Sequence, residues 1–209
     1  MSIYDTIHSH KDSAMYDRSK TIGASDAVYI QSGQWAELYD RKRTSEPPEW
    51  GLAAEIGKRL ERFNLELFKH ETGREVLIKN SWQQNPITYR LNKWCKYLPD
   101  GLTIDQDEGA AEDGLAAEPR IPIEAKCINM MWKPHNLLTK YMPQLQHAMR
   151  VMGAPYCWFS VIYLNTKYEC TKIPYDPPYD NALFEKEELF AWMLKTGTRP
   201  PQKKGRKWV

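Results

Sequence analysis

What this 209-residue chain lacks narrows its class first. Cys95, Cys127, Cys157 and Cys170 are too few for a disulfide scaffold of this length and too widely spaced for a zinc ribbon, so buried, reduced thiols are expected. Its five histidines include no H-x-x-x-H pair, which argues against hydrolytic zinc, and His147 reads as a helix residue at or just under the surface. There is no apolar run of the roughly eighteen residues that a membrane span needs. Met1-Ser2-Ile3-Tyr4-Asp5 lacks a basic-then-apolar leader. The expectation is therefore a cytoplasmic protein with no membrane association. No internal repeat, low-complexity stretch or linker is visible, so residues 1–209 read as one domain. A net charge of +2 is too small to identify a polyanionic ligand.

The charge that is present is unevenly placed. Asp105, Asp107, Glu108, Glu112, Asp113 and Glu118 lie among Gly and Ala, a pattern expected of a flexible acidic loop over 105–119 that projects into solvent. The segment 199–209 is a basic tail that either trails along phosphates or simply keeps the chain in solution. Between these lies a mixed α/β pattern. Ile56, Leu60, Phe63 and Leu67 recur at helical spacing, so an amphipathic helix is expected over 51–71 with Glu61 beside its apolar stripe. Strands are expected at 75–79, 88–94, 101–104, 121–128, 157–164 and 168–173. Helices are expected near 142–152, with Met142, Leu145, Met149 and Met152 inward, and over 182–195. Asp176-Pro177-Pro178-Tyr179 reads as a loop. Most of the aromatic residues read as core, Trp158 and Trp192 among them, whereas Met130-Met131-Trp132 could wedge against bases.

Two short segments carry chemistry. Leu98-Pro99-Asp100-Gly101 precedes one expected strand and Ile123-Glu124-Ala125-Lys126 lies in another, where the period of two points Glu124 and Lys126 to one sheet face. Mg²⁺ takes hard oxygen ligands in octahedral geometry and keeps several waters, so Asp100, Glu124 and the Ala125 carbonyl are a sufficient protein ligand set. An ammonium beside the ion, that of Lys126, could orient a nucleophile or phosphate oxygens. The plainer alternative is a turn at Asp100-Gly101 and a solvated edge strand at Glu124-Ala125-Lys126.

Four blocks in order resemble the phage lambda-type alkaline exonucleases, the YqaJ-like viral recombinase family of the PD-(D/E)xK nuclease superfamily. They are Arg18 with Ile22-Gly23-Ala24-Ser25-Asp26; Gly57-Lys58-Arg59-Leu60-Glu61 with Leu67-Phe68 and Thr72-Gly73; Pro99-Asp100-Gly101-Leu102 with Glu124-Ala125-Lys126-Cys127; and Tyr141-Met142-Pro143-Gln144-Leu145-Gln146. The resemblance implies an α/β restriction-endonuclease-like core, a central mixed sheet flanked by helices. It implies Mg²⁺ as cofactor, with Mn²⁺ able to substitute, and catalytic roles for Asp100, Glu124, Lys126, Glu61 and Gln144. Glu61 would add a ligand through water or serve a second ion; its bland alternative is a surface glutamate paired with Lys58. Arg18 and Ser25, with Gln144, would hold a terminal 5′-phosphate, although Ser25 also suits an ordinary helix N-cap. Gln146 faces elsewhere and reads as structural.

The implied activity is 5′-to-3′ digestion of one strand from double-stranded DNA ends, leaving 3′ overhangs for strand annealing. A ring-shaped homotrimer, a phage-type single-strand annealing protein and a phage or prophage origin accompany it. An end-trimming endonuclease and a noncatalytic DNA-end binder are the alternatives. Two departures stand out: Leu98 sits where the pattern has a small polar residue, and the acidic insertion is longer than the usual connection. An iron–sulfur relative in the same superfamily is disfavoured by the cysteine spacing.

Overall fold

The computed structural model describes residues 18–44, 51–77, 86–104, 120–128, 134–164 and 166–202. A 3₁₀ turn at Arg18–Lys20 leads into β1 (Ile22–Gly23), α1 (Ala24–Ser32), α2 (Trp35–Arg43) and α3 (Leu52–Thr72). Then follow β2 (Ile87–Thr88), β3 (Cys95–Tyr97), β4 (Gly101–Ile104) and β5 (Arg120–Ile128). α4 (Pro134–Met152), β6 (Tyr156–Tyr163), β7 (Lys167–Pro174) and α5 (Pro177–Thr196) complete the order.

Two mixed sheets form. The larger runs β4-β5-β6-β7, with β5 and β6 parallel and both outer pairs antiparallel; the smaller runs β1-β3-β2. A parallel pair cannot be closed by a hairpin, and α4 supplies the crossover from β5 to β6. Alternation along β5 and β6 then assigns each helix a face. Leu65 and Phe68 of α3 pack on Ile123 and Ala125, while Leu137, Leu145 and Met149 of α4 pack on Phe159, Val161 and Tyr163. Glu124 pairs in register with Phe159 and Lys126 with Val161, so both belong to the α4 face. The expected architecture of a mixed sheet between helices is present. No helix among the described residues is long and apolar enough to cross a membrane.

Several local expectations need correction. The inward face of α3 is Asn64, Leu65 and Phe68, whereas Ile56 and Phe63 are 36% and 48% exposed. The stripe read from the sequence runs along the edge of that face, with Leu60 and Leu67 half-buried, because this helix carries apolar residues on two faces and puts polar Asn64 on the buried one. The expected strand at 88–94 is a turn between β2 and β3, closed by Tyr89 N–H donating to the Cys95 carbonyl at 2.9 Å. The expected strand at 75–79 is reduced, where described, to one bridge from Val76 to Thr103.

α4 begins eight residues earlier than expected and runs through Pro143, whose ring removes only the N–H that would reach the Thr139 carbonyl. Asp176-Pro177-Pro178-Tyr179 is not a loop but the start of α5. Asp176 is the N-cap, its carboxylate accepts from Tyr179 N–H at 3.1 Å, and both prolines sit in the first turn, where no N–H is missed.

Trp192 is 52% exposed, not core. Trp158 does pack, edge-on to Phe68 at 5.6 Å. All four cysteines are free, but only Cys95 and Cys157 are buried; Cys127 and Cys170 are half-buried. The acidic loop 105–119, Met130-Met131-Trp132 and residues 203–209 of the basic tail lie outside the described residues.

His147 is not near the surface: it is fully buried. Its Nε2 lies 2.9 Å from the Lys96 carbonyl and can only donate there, while Nδ1 lies 2.9 Å from Glu187. Arg150 donates to Asp180 at 2.8 Å and also to Glu187. Two cations thus meet two carboxylates between α4, α5 and β3. Burial alone would lower the His147 pKa, but the Glu187 carboxylate and Cys95 outweigh it and hold it up at about 10.

Candidate active site

The Pro-Asp-Gly segment ends where β4 begins, and the reason for glycine is steric. A Cβ at Gly101 would lie 2.6 Å from Leu65 Cδ2 and 3.2 Å from Ile123 Cβ, so β4 can approach α3 this closely only without a side chain. Gly101 pairs with Ile123 in the antiparallel ladder, and Asp100 therefore stands just before the start of β4, beside the middle of β5. There it accepts the Ala125 N–H at 2.9 Å.

On β5, Glu124 is 1% exposed. Lys126, two residues on and on the same face, donates to the Glu124 carboxylate, with its ammonium also 3.7 Å from Asp100 Oδ2. Gln144, buried on α4, donates to the same Glu124 oxygen. The edge-strand alternative fails, since β5 is paired on both sides and Glu124 is buried. The sequence-predicted Asp100, Glu124, Ala125, Lys126 and Gln144 therefore converge.

Glu61 joins them electrostatically rather than by a contact. Burial, then the nearby Asp100 charge, pushes its carboxyl up to about 7, with Lys126 and Lys58 pulling the other way. Burial and Asp100 likewise raise Glu124 to about 8, against Lys126. Burial would lower the Lys126 pKa, but Glu124 and Asp100 overcome it and the net shift is upward. Lys126 is thus a fixed cation at pH 7.

Three carboxyl groups crowded around one ammonium, two of them driven toward protonation, form a donor set that a hard divalent cation suits. The Tyr97 hydroxyl, buried without a hydrogen-bond partner among the described residues, lies in the field of Glu124, Asp100 and Glu61. Among the described residues, the trio of potential ligands within 4.8 Å of one another is instead Cys95, His147 and Glu187. That place already holds a cation: the Arg150 guanidinium is 3.1 Å from His147 Nδ1 and 3.9 Å from Cys95 Sγ. The Asp100–Glu124 cleft is the better metal candidate on charge. Two cavities of about 600 and 750 Å³ lie elsewhere, the first beside Tyr89, Arg150 and Tyr175, the second beside Lys20, Arg43 and Trp192.

Arg18 and Ser25 are also brought together, Nη2 to Oγ at 3.4 Å. Ser25 is in the first turn of α1, but the N-cap is Gly23, and the reciprocal bond of the capping box comes from Asp26, which accepts Gly23 N–H at 2.8 Å. Gln146 is structural, donating to the Pro174 carbonyl and accepting Asp176 N–H.

Three supporting residues were given no role by sequence reasoning, although Tyr141 belongs to the fourth block. Asn64 donates to the Lys126 carbonyl at 2.9 Å and the Ser160 carbonyl at 3.1 Å, tying α3 to the two central strands. Buried Lys42 donates to the carbonyls of Arg18 and Thr21 and to Asp26, fixing the segment that presents Arg18. The Tyr141 ring lies 5.4 Å from the Lys126 ammonium. Only Tyr141 left a signal, its spacing of three from Gln144 on one helix.

Comparison with known proteins now decides the family. The profile of the YqaJ-like viral recombinase domain matches residues 15–155, which include both strands and every residue of the cluster. The chain belongs to that family. Its fold is that of the alkaline exonuclease LHK-Exo from Laribacter hongkongensis: 20% identity, 88% of this chain and 92% of that one covered, TM-score 0.66. The same enzyme in complex with dAMP matches at 21% identity, over 86% and 90% of the two chains, with TM-score 0.66. No curated protein matches by sequence. The YqaJ-like core thus spans α1 to the end of α4, with the β6–β7 hairpin and α5 following it.

Proposed function

We propose that this YqaJ-like protein is a Mg²⁺-dependent 5′-to-3′ exonuclease that resects one strand of duplex DNA from its ends, leaving 3′ overhangs for single-strand annealing. One observation carries the reading: Lys126 bridges Glu124 and Asp100, with Gln144 on Glu124, in a chain whose family is that of viral recombinases and whose fold is that of an alkaline exonuclease.

Asp100, Glu124 and the Ala125 carbonyl would hold the ion, and Glu61, in the field of Asp100 and Lys126, would ligate through water or serve a second one. The ion would supply Lewis-acid polarisation of the phosphodiester and activation of water. The chain's own groups set the geometry. Lys126 stays charged and holds Glu124 in place, and its remaining N–H bonds can meet phosphate oxygens as charge develops. The Gln144 amide donates to the same Glu124 oxygen, restraining it from α4, and carries a carbonyl oxygen that can accept from a water. Arg18, with Ser25 beside it, offers a guanidinium fork suited to a terminal 5′-phosphate.

A chain of this size has a radius of gyration of roughly 17 Å, too small for one copy to surround duplex DNA, so a ring of three copies is the assembly proposed. An annealing protein would receive the overhang. The proposed setting is a phage or prophage gene acting in the bacterial cytoplasm.

Asp100→Ala and Lys126→Ala should each lower digestion of end-labelled linear duplex by about 10²–10³-fold, with duplex binding retained; unimpaired cutting by either would reject the site. Covalently closed circular DNA should survive, and its cleavage would favour the endonuclease reading. Duplexes with 5′-phosphate ends should be digested in preference to 5′-hydroxyl ends, and equal rates would remove Arg18 from its role. Mass measurement in solution tests the ring.

A further inference from the structure

The cavity of about 750 Å³ lies between the Arg18–Lys20 turn, α2 and α5, and it is lined by Lys20, Arg43, Trp94, Trp192 and Lys195, with Glu188 as its acidic member. Its size is that of a ligand site. Its walls differ in rigidity. Trp94 is stacked on Phe184, with centroids 5.6 Å apart and planes at 18°, and its carbonyl accepts the Ile22 N–H at 2.7 Å. Trp192 is 52% exposed, a large indole left in water by a helix whose other face is core. Among the described residues no ion pair cancels Lys20, Arg43 or Lys195.

We propose that this groove binds single-stranded DNA, with Trp192 stacking on a base and Lys20, Arg43 and Lys195 neutralising phosphates. Exposed aromatics among cations are how sequence-tolerant sites hold a strand whose bases are unstacked, and away from its ends a paired duplex offers no free base face to an indole.

A protein partner would meet the same indole, but three cations around one acid favour a polyanion. Arg199 pairs with Asp40 of α2 at 2.7 Å, so the chain leaves α5 along the helix that carries Arg43. The position also suits the strand left by resection, in the one respect that rests on the proposed function. Lys20 is two residues from Arg18, so a duplex end anchored there would have its other strand becoming single close to the groove.

The test uses full-length protein in EDTA, so that binding is read without cleavage. The probe is a fluorescein-labelled oligothymidylate of about 12 nucleotides, followed by anisotropy. Trp192→Ala should weaken binding about tenfold, near the low end of what one stacked base is worth. Lys195→Gln should weaken it less and reduce the slope of log affinity against log salt by about 0.7. Affinity for blunt duplex and the digestion rate of linear duplex should be unchanged in both. Unchanged oligothymidylate affinity in both variants would overturn the proposal. So would a Trp192→Ala variant that binds normally but changes its mass in solution, since the groove would then be a contact between copies. A wild-type protein that cuts no DNA yet loses oligothymidylate through Trp192→Ala would overturn the exonuclease reading and leave this one standing.

Discussion

At Asn64 a single amide ties β5 and β6 to α3. Its Nδ2 serves the carbonyls of Lys126 and Ser160, and its Oδ1 accepts from the Ser160 hydroxyl, all at 1% exposure. Truncation leaves two strand carbonyls and a hydroxyl without this partner in a place water does not reach. Asn64→Ala should therefore cost about 1–3 kcal/mol, read as a lowered urea midpoint. Ser160→Ala in the same background should cost less than it does alone, because the two side chains share a bond; strict additivity would show that they do not act together. The residue was invisible in the sequence for a physical reason. An asparagine in a helix pattern ordinarily marks the wet face, and only the strand carbonyls facing it, from positions 62 and 96 residues away, make the buried face its proper one. The shared face of Glu124 and Lys126 was legible because it follows from a local rule, period-two alternation within one strand.

The contact between α3 and β4 shows what an element needs beyond its own pattern. Gly101 lets the helix come close enough for Glu61 to feel Asp100, and a methyl group there would have to displace Leu65 and press on Ile123. Gly101→Ala should be overpacked by about 1–3 kcal/mol, lowering the melting temperature by roughly 2–10 °C for a chain of this length. It should also slow digestion more than a comparably destabilising change far from the site, such as Leu194→Ala. Equal activity losses at equal destabilisation would mean that the spacing of Glu61 and Asp100 is not critical. Helix existence was readable for α3, α4 and α5, but their faces and starts were less so. The two apolar stripes of α3 compete on periodicity, and only the sheet chooses between them. The paired prolines opening α5 read as a loop, because the sequence does not show whether the missing N–H was ever needed.

Across the whole molecule, the buried cluster of His147, Arg150, Asp180 and Glu187 clamps α5 to the helix that carries Gln144 and, through Lys96, to the strand leading into Asp100. Its members are up to 40 residues apart in the chain, which is why His147 could be mistaken for a surface residue. The cluster makes stability depend on pH in a defined direction. His147 holds its proton up to about pH 10 when folded, well above the ordinary histidine value of 6.5. In that interval the native state binds more protons than the unfolded one, so its contribution is complete below pH 6.5 and is lost as pH rises toward 10. The melting temperature of the wild type should consequently fall across pH 7–10 more steeply than that of His147→Gln, whose amide can still donate to the Lys96 carbonyl but cannot titrate. The variant should also be less stable at pH 7, because Glu187 then keeps only Arg150 as a cationic partner. Parallel melting curves for the two proteins over that range would mean that His147 is neutral in the fold and that Arg150 alone balances Glu187 and Asp180. The same comparison bears on activity: above pH 9, digestion by the wild type should decline at a temperature where it is fully active at pH 8, tracking the loosening of α4 around Gln144.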